Sequence, residues 1–181
     1  MQALLKKLFG VFNRLLMVPL FRLGLGWFVG NPLTGYIMVL KTIGRKSGKV
    51  RYTPVNYAIL NGLIYCIAGF GKTSQWYRNL QLQPRLEVLL PAGALAGLAE
   101  TVCDPAEAVT AFRLVLKSAG FAGFFYGFNP HSAPEETLRK LAAEDQPPAV
   151  RALLADCLRV LATPADKALL QSITTATKKK R

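Results

Sequence analysis

Residues 36–68 read YIMVLKTIGRKSGKVRYTPVNYAILNGLIYCIA, and this stretch decides the fold. Tyr36–Ile43 carries the β-branched and aromatic residues of a strand and stops at Gly44. After the turn Arg45-Lys46-Ser47-Gly48, the same chemistry resumes over Lys49–Leu60, with Tyr52, Val55, Tyr57 and Ile59. Pro54 has no N–H to give to a ladder, so this second strand has an edge or a bulge there. Asn61-Gly62 suits a type I′ hairpin turn, and Leu63–Ala68 returns as a third strand.

Working outward, the loop Gly69-Phe70-Gly71-Lys72 leads to Thr73/Ser74 as a cap before a helix over Trp76–Gln81. Arg85–Leu90 and Leu95–Val102 form a further hairpin about Pro91–Ala94. Asp104-Pro105-Ala106-Glu107 supplies a cap, a proline at the first helical position and an acid at N3, opening a helix that runs to Gly120. Ser132-Ala133-Pro134-Glu135 repeats that signal. Pro147-Pro148 opens a last long helix with Val150, Leu153, Leu154, Cys157, Leu158 and Leu161 on one face. Strands followed by helices predict an α+β domain, an antiparallel sheet with helices packed outside it. With 181 residues and 51% hydrophobic content there is material for one core and no second domain. The organisation reads as an N-terminal amphipathic segment over 1–30, a domain over 31–174, and a basic tail over 175–181.

Charge is segregated along the chain. The first acidic residue is Glu87, and the 86 residues before it hold twelve basic side chains. A half-chain without carboxylates has no Asp/Glu general base or carboxylate metal site, but it is a home for a polyanion such as phosphate, an acidic cofactor tail or anionic lipid. Nucleic acid is disfavoured, because the basic residues alternate along strands with no stacking platform or helix-turn-helix. Cys66, Cys103 and Cys157 stand in apolar runs at no ligand spacing and read as small buried hydrophobes in a reducing compartment. With His131 the only histidine, neither a metal set nor a His-based nucleophile triad is available.

Gln2 to Leu16 repeats leucine and phenylalanine at helical spacing opposite Lys6, Lys7, Asn13 and Arg14. The apolar run from Leu15 to Val29 is broken by Pro19 and Arg22, leaving less than the about 20 uninterrupted residues that a bilayer span needs. No small-x-small cleavage site follows it. A helix lying in an anionic interface is the preferred reading, with packing on its own domain or a partner subunit as the alternative.

The turn Gly44-Arg45-Lys46-Ser47-Gly48-Lys49 is not a Walker loop, since only three residues separate its glycines and a strand follows. It exposes backbone N–H groups and a hydroxyl among Arg45, Lys46, Lys49 and Arg51, which suits either an anion nest or a solvated hairpin tip. Val39–Pro54 (VLKTIGRKSGKVRYTP) resembles the opening signature of the deazaflavin (F420)-dependent nitroreductase and quinone reductase family. There, a hairpin carries a GRKSGK-like turn before an R-x-T-P strand. The second half of the pattern follows at family spacing: Ala68-Gly69-Phe70-Gly71, then Gln75-Trp76-Tyr77-Arg78-Asn79-Leu80, then Pro84-Arg85.

The resemblance implies a split β-barrel of antiparallel strands with flanking helices, the last part of the chain being helical, and reduced coenzyme F420 bound in a groove beside the barrel. Arg45, Lys46, Ser47, Lys49 and Arg51 would hold the cofactor's phosphate and oligoglutamate tail, and Thr53 and Pro54 would lie along its ring. Gly69, Phe70, Gly71 and Lys72 would approach the ring edge, and Trp76, Tyr77 and Asn79 would close that side. Read by themselves, Trp76 and Tyr77 are equally core residues. The segment between the glycine loop and the W-Y helix is shorter here than in many family members, and Arg78 stands where they often carry aspartate or histidine. Tyr126, the one hydroxyl in the cluster Phe121–Phe128, is the candidate proton donor; an aromatic cluster is also ordinary packing.

The expected activity is hydride transfer from reduced deazaflavin to a quinone or nitro-type acceptor at the membrane surface, by a cytoplasmic, peripheral protein. A homodimer is implied by the barrel analogy. The alternatives are an FMN-binding barrel, or a container for a fatty acyl or isoprenoid chain without turnover.

Overall fold

The computed structural model describes residues 13–28, 35–68, 74–120, 157–162 and 171. Six strands close an antiparallel barrel in the order β1-β2-β3-β6-β5-β4. They are β1 (Ile37–Ile43), β2 (Val50–Leu60), β3 (Leu63–Ile67), β4 (Arg85–Leu90), β5 (Gly93–Thr101) and β6 (Cys157–Ala162). Between Asn13–Met17, a π-helical turn, and the barrel lies α1 (Val18–Arg22); α2 is Gln75–Leu82 and α3 is Pro105–Ser118. Asn61 and Gly62 both adopt positive φ, 52° and 74°, as the type I′ connection of β2 to β3 requires.

Alternation along the strands builds the core. Met38 and Leu40 of β1, Val88 of β4, Leu95 of β5, Ile64 and Cys66 of β3 and Val160 of β6 fill the barrel, and Trp76, Tyr77 and Leu80 of α2 join them. Helix α3 covers the outside of β2 and β3, packing Ala108, Ala111 and Val115 on Ala58 and Tyr65. Its start is capped as the sequence predicts: the Asp104 carboxylate accepts from the N–H groups of Ala106 and Glu107.

The chain departs from the sequence reading at its C-terminal side. Cys157, Leu158 and Leu161 were expected on one face of a long helix, but residues 157–162 are a strand. Strand β6 pairs antiparallel with β3 through Ile64↔Val160 and with β5 through Ala99↔Val160, and so closes the barrel. Its period is two: Val160 is buried at the barrel centre, while Arg159 lies on the outside. A six-residue segment that is apolar apart from Arg159 fits helix and strand alike, and the unpaired edges of β3 and β5 decide for strand. The remainder of that expected helix lies outside the described residues.

Arg159 fixes the closure on the outer surface. Its Nη1 donates to both carboxylate oxygens of Glu107 at 3.0 and 3.1 Å, and its Nε donates to Glu100 at 3.1 Å. The Tyr65 hydroxyl donates to Glu107 at 2.8 Å, so β3, β5, β6 and α3 meet at one carboxylate pair.

Residues 13–28 pack on the barrel rather than standing apart from it. Met17 and Phe21 are buried, and α1 lies against β2 and β4. The opposite side of the same segment is apolar and open, with Leu15 71%, Leu23 73% and Phe28 58% exposed. No helix among the described residues is long and apolar enough to cross a membrane. Of the cysteines, Cys66 is buried as expected, whereas Cys103 is exposed beside the Asp104 cap, where the chain leaves the barrel.

Candidate active site

The groove follows from a difference in strand length. Strand β2 pairs with β1 from Val50 to Asn56, but β3 reaches it only from Tyr57 to Leu60. The first half of β2, Pro54 included, therefore has no strand partner on that side among the described residues, which accommodates the missing N–H. Directly opposed residues share a face, so Arg51 lies with its partner Thr42, and Thr53 with its partner Leu40. That face would continue the barrel interior; here it opens to α2 instead. A groove of about 420 Å³ results, lined by Gly44, Arg45, Lys46, Ser47, Arg51, Tyr52, Thr53, Gln75, Trp76 and Asn79.

The basic turn forms one end of the groove. The Gly44 N–H donates to the Lys49 carbonyl at 2.9 Å, and the Gly48 N–H donates to the Gly44 carbonyl at 2.8 Å. Gly48 takes φ 62°, a left-handed conformation that glycine adopts without cost. Lys46, Ser47, Lys49 and Arg51 are exposed, and no carboxylate among the described residues lines the groove. Among the described residues none of Lys46, Lys49 and Arg51 has an acidic partner. Lys41 differs: its ammonium donates to Glu87 at 2.6 Å on the barrel's outer side. That hydrogen bond and the Glu87 charge raise the Lys41 pKa above its ordinary value, so the first acid of the chain neutralises this one cation.

Helix α2 forms the facing wall. Asn79 is buried, and its side-chain oxygen accepts the backbone N–H of Arg45 at 3.1 Å. Arg45 Nη1 also donates to Asn79 at 3.3 Å and to Gln75 Oε1 at 3.0 Å. The Arg22 guanidinium lies 5.7 Å from the centre of the Tyr52 ring, within cation–π range, on the outer face that Tyr52 shares with its β1 partner Lys41. Two buried hydroxyls, Thr42 opposite Arg51 and Ser74 at the start of α2, have no hydrogen-bond partner among the described residues.

Of the residues singled out in the sequence, Arg45, Lys46, Ser47, Arg51, Thr53, Trp76 and Asn79 come together at this groove. Lys49 closes the turn through its carbonyl, and Pro54 is half-buried on β2. Tyr77 points into the barrel core, with its ring edge-on to Trp76 at 6.1 Å between centroids. Gly69, Phe70, Gly71, Lys72 and Tyr126 lie outside the described residues. Gly44, Tyr52 and Gln75 line the groove without having been singled out. The helical spacing of Gln75 and Asn79 was the signal that pairs the first of these with the turn. Among the described residues no cluster of His, Cys, Asp and Glu is arranged to hold a metal.

The groove, basic and free of acids among the described residues, lies between a split barrel and its W-Y helix. The sequence model of the F420H2-dependent quinone reductases matches residues 21–126, more than half of the chain, and the chain belongs to that family. It is an F420-dependent oxidoreductase, and the match lends no support to FMN. Nothing among curated proteins matches it. Similar solved structures include a conserved hypothetical protein from Mycobacterium tuberculosis, 21% identical, covering 70% of this chain and 72% of that one with a TM-score of 0.47. An F420-H2 dependent reductase, FDR-A, is 19% identical over 70% of this chain and 93% of its own, with a TM-score of 0.44. A putative 5-nitroimidazole antibiotic resistance protein from Bacteroides thetaiotaomicron is 15% identical over 72% and 74%, also with a TM-score of 0.44.

Proposed function

We propose that this chain binds reduced F420 along the β2–α2 groove and passes its hydride to a quinone or nitro-type acceptor at the membrane surface, as a cytoplasmic, peripheral enzyme. The observation that carries the reading is the donor set. Lys46, Lys49 and Arg51 are exposed cations with no acidic partner among the described residues, on a turn that also presents the Ser47 hydroxyl. Such a set matches a phosphate followed by carboxylates. When bound, the deazaflavin supplies the hydride. The protein's residues bind and orient: Lys46, Ser47, Lys49 and Arg51 hold the anionic tail, with Arg45 beside them. Thr53, Pro54, Trp76 and Asn79 flank the ring. Gly69, Phe70, Gly71 and Lys72 at the ring edge, Tyr77 behind Trp76, and Tyr126 as proton donor belong to the same reading through the family resemblance. The family's name favours a quinone acceptor. The exposed apolar side of residues 13–28 supports delivery of such an acceptor from a bilayer.

The test is a fluorescence titration of the full chain with F420 against a Lys46→Ala/Lys49→Ala/Arg51→Ala variant. Charge-assisted contacts contribute about 1.5–3 kcal/mol each. The variant is therefore expected to lose about three to six orders of magnitude in affinity while melting within about 2 °C of wild type, since exposed positions contribute little to stability. Equal affinity in the two proteins defeats this placement of the tail.

A further inference from the structure

Four cations, Arg45, Lys46, Lys49 and Arg51, crowd one turn, and they repel one another. A flexible turn would relieve that repulsion by spreading, and any anion would then have to gather it again at an entropic cost. The structure opposes spreading at one residue. Arg45 is held twice by Asn79, through its backbone N–H at 3.1 Å and its Nη1 at 3.3 Å, and once by Gln75 at 3.0 Å. Gln75 and Asn79 stand four residues apart on α2, so both amide oxygens meet the turn from one helix face. Asn79 is only 5% exposed, which fixes its rotamer and commits its oxygen to Arg45.

Both acceptors are neutral. A carboxylate at either position would hold Arg45 more strongly through charge assistance, but it would also cancel the guanidinium charge at contact distance. Amides orient the arginine and leave its charge facing the groove. We infer that Asn79 and Gln75 are positioning residues, and that their being amides rather than acids preserves selectivity for the anionic part of the cofactor. This rests on reading the groove as the deazaflavin site.

The experiment compares Asn79→Asp, Asn79→Ala and Gln75→Glu with wild type in the full chain. Two probes are titrated: F420 with its phosphate and glutamates, and the deazaflavin riboside that lacks both. Gln75→Glu is expected to keep the wild-type melting temperature and the affinity for the riboside, and Asn79→Asp, a buried change beside the ring, to lose more affinity for F420 than for the riboside. Their affinity for F420 is expected to fall by at least about tenfold, the loss of one charge-assisted contact. Their F420 affinity should also depend less steeply on NaCl, because one cation fewer faces the ligand. Asn79→Ala loosens the turn and is expected to weaken F420 binding without flattening its salt dependence. Because Gln75 is exposed, Gln75→Glu reports even if a change at Asn79 disturbs folding. Equal losses for both probes, or F420 affinity unchanged in Gln75→Glu, overturn the inference. Wild-type protein that binds neither probe overturns the functional reading itself and this inference with it.

Discussion

The N-terminal segment has two apolar faces, and substitution can separate them. Met17 and Phe21 face the barrel, whereas Leu15, Leu23 and Phe28 face outward at 71%, 73% and 58% exposure. Complete burial of a large apolar side chain contributes about 1.5–3 kcal/mol. With roughly two thirds of each side chain open to a bilayer interface, each contributes about 1–2 kcal/mol and the three together about 3–6 kcal/mol, scaled from that value. Arg22 adds about 1 kcal/mol toward an anionic surface. A Leu15→Ser/Leu23→Ser/Phe28→Ser variant is therefore expected to bind vesicles containing phosphatidylglycerol about 10²–10⁴-fold more weakly, at the 1.4 kcal/mol that corresponds to each tenfold. Sedimentation with vesicles measures this, and thermal melting serves as the control. Surface substitutions change stability by about 0.5 kcal/mol or less each, so the fold is expected to survive. Phe21→Ala is the counterpart: it opens a buried site at a cost of about 3–5 kcal/mol, so it tests the fold and not the surface. Removing residues 1–29 would likewise uncover β2 and β4, which makes truncation the wrong tool. If the triple variant sediments like wild type, the outward face does not bind lipid and the membrane placement fails.

Other consequences are equally direct. Glu107→Gln leaves one neutral oxygen for Arg159 and Tyr65, and its partly exposed pair contributes about 1–2 kcal/mol, between the surface and charge-assisted values. A melting temperature lower by about 2–8 °C is expected, and an unchanged one would show that closure of the barrel does not use this contact. Burial pushes the Tyr57 hydroxyl up to about 12, so the folded chain keeps its proton while the unfolded chain loses it from about pH 10. Stability is thus complete below pH 10 and falls by about 2–3 kcal/mol toward pH 12, and in Tyr57→Phe urea melts at pH 9 and 11.5 are expected to differ less than in wild type. At Gly97, a Cβ would meet the Leu161 carbonyl at 2.7 Å across the β5–β6 pair, so Gly97→Ala is expected to cost about 1–3 kcal/mol. Denaturant midpoints of wild type and variant measure it, and equal midpoints would mean that β6 can shift to make room.

Much of this protein is set by local chemistry. The alternation of residues 36–68, the Asn61-Gly62 turn and the Asp104 cap each specify their own backbone, because a period of two, a positive φ and an orphan N–H need no distant partner. The acid-free run before Glu87 likewise fixed the sign of the groove, since charge is additive along a chain. What tertiary structure decided are the features that depend on residues far apart. Residues 157–162 became a strand because β3 and β5 offered edges to be paired, information absent from the six residues themselves. Met17 and Phe21 turned inward while Leu15 and Leu23 stayed out, a division that only the shape of β2 and β4 could make. Arg45, one of four equivalent-looking cations in the sequence, was set apart by two amides 30 and 34 residues away, because a hydrogen bond depends on distance and direction, which spacing along the chain does not encode.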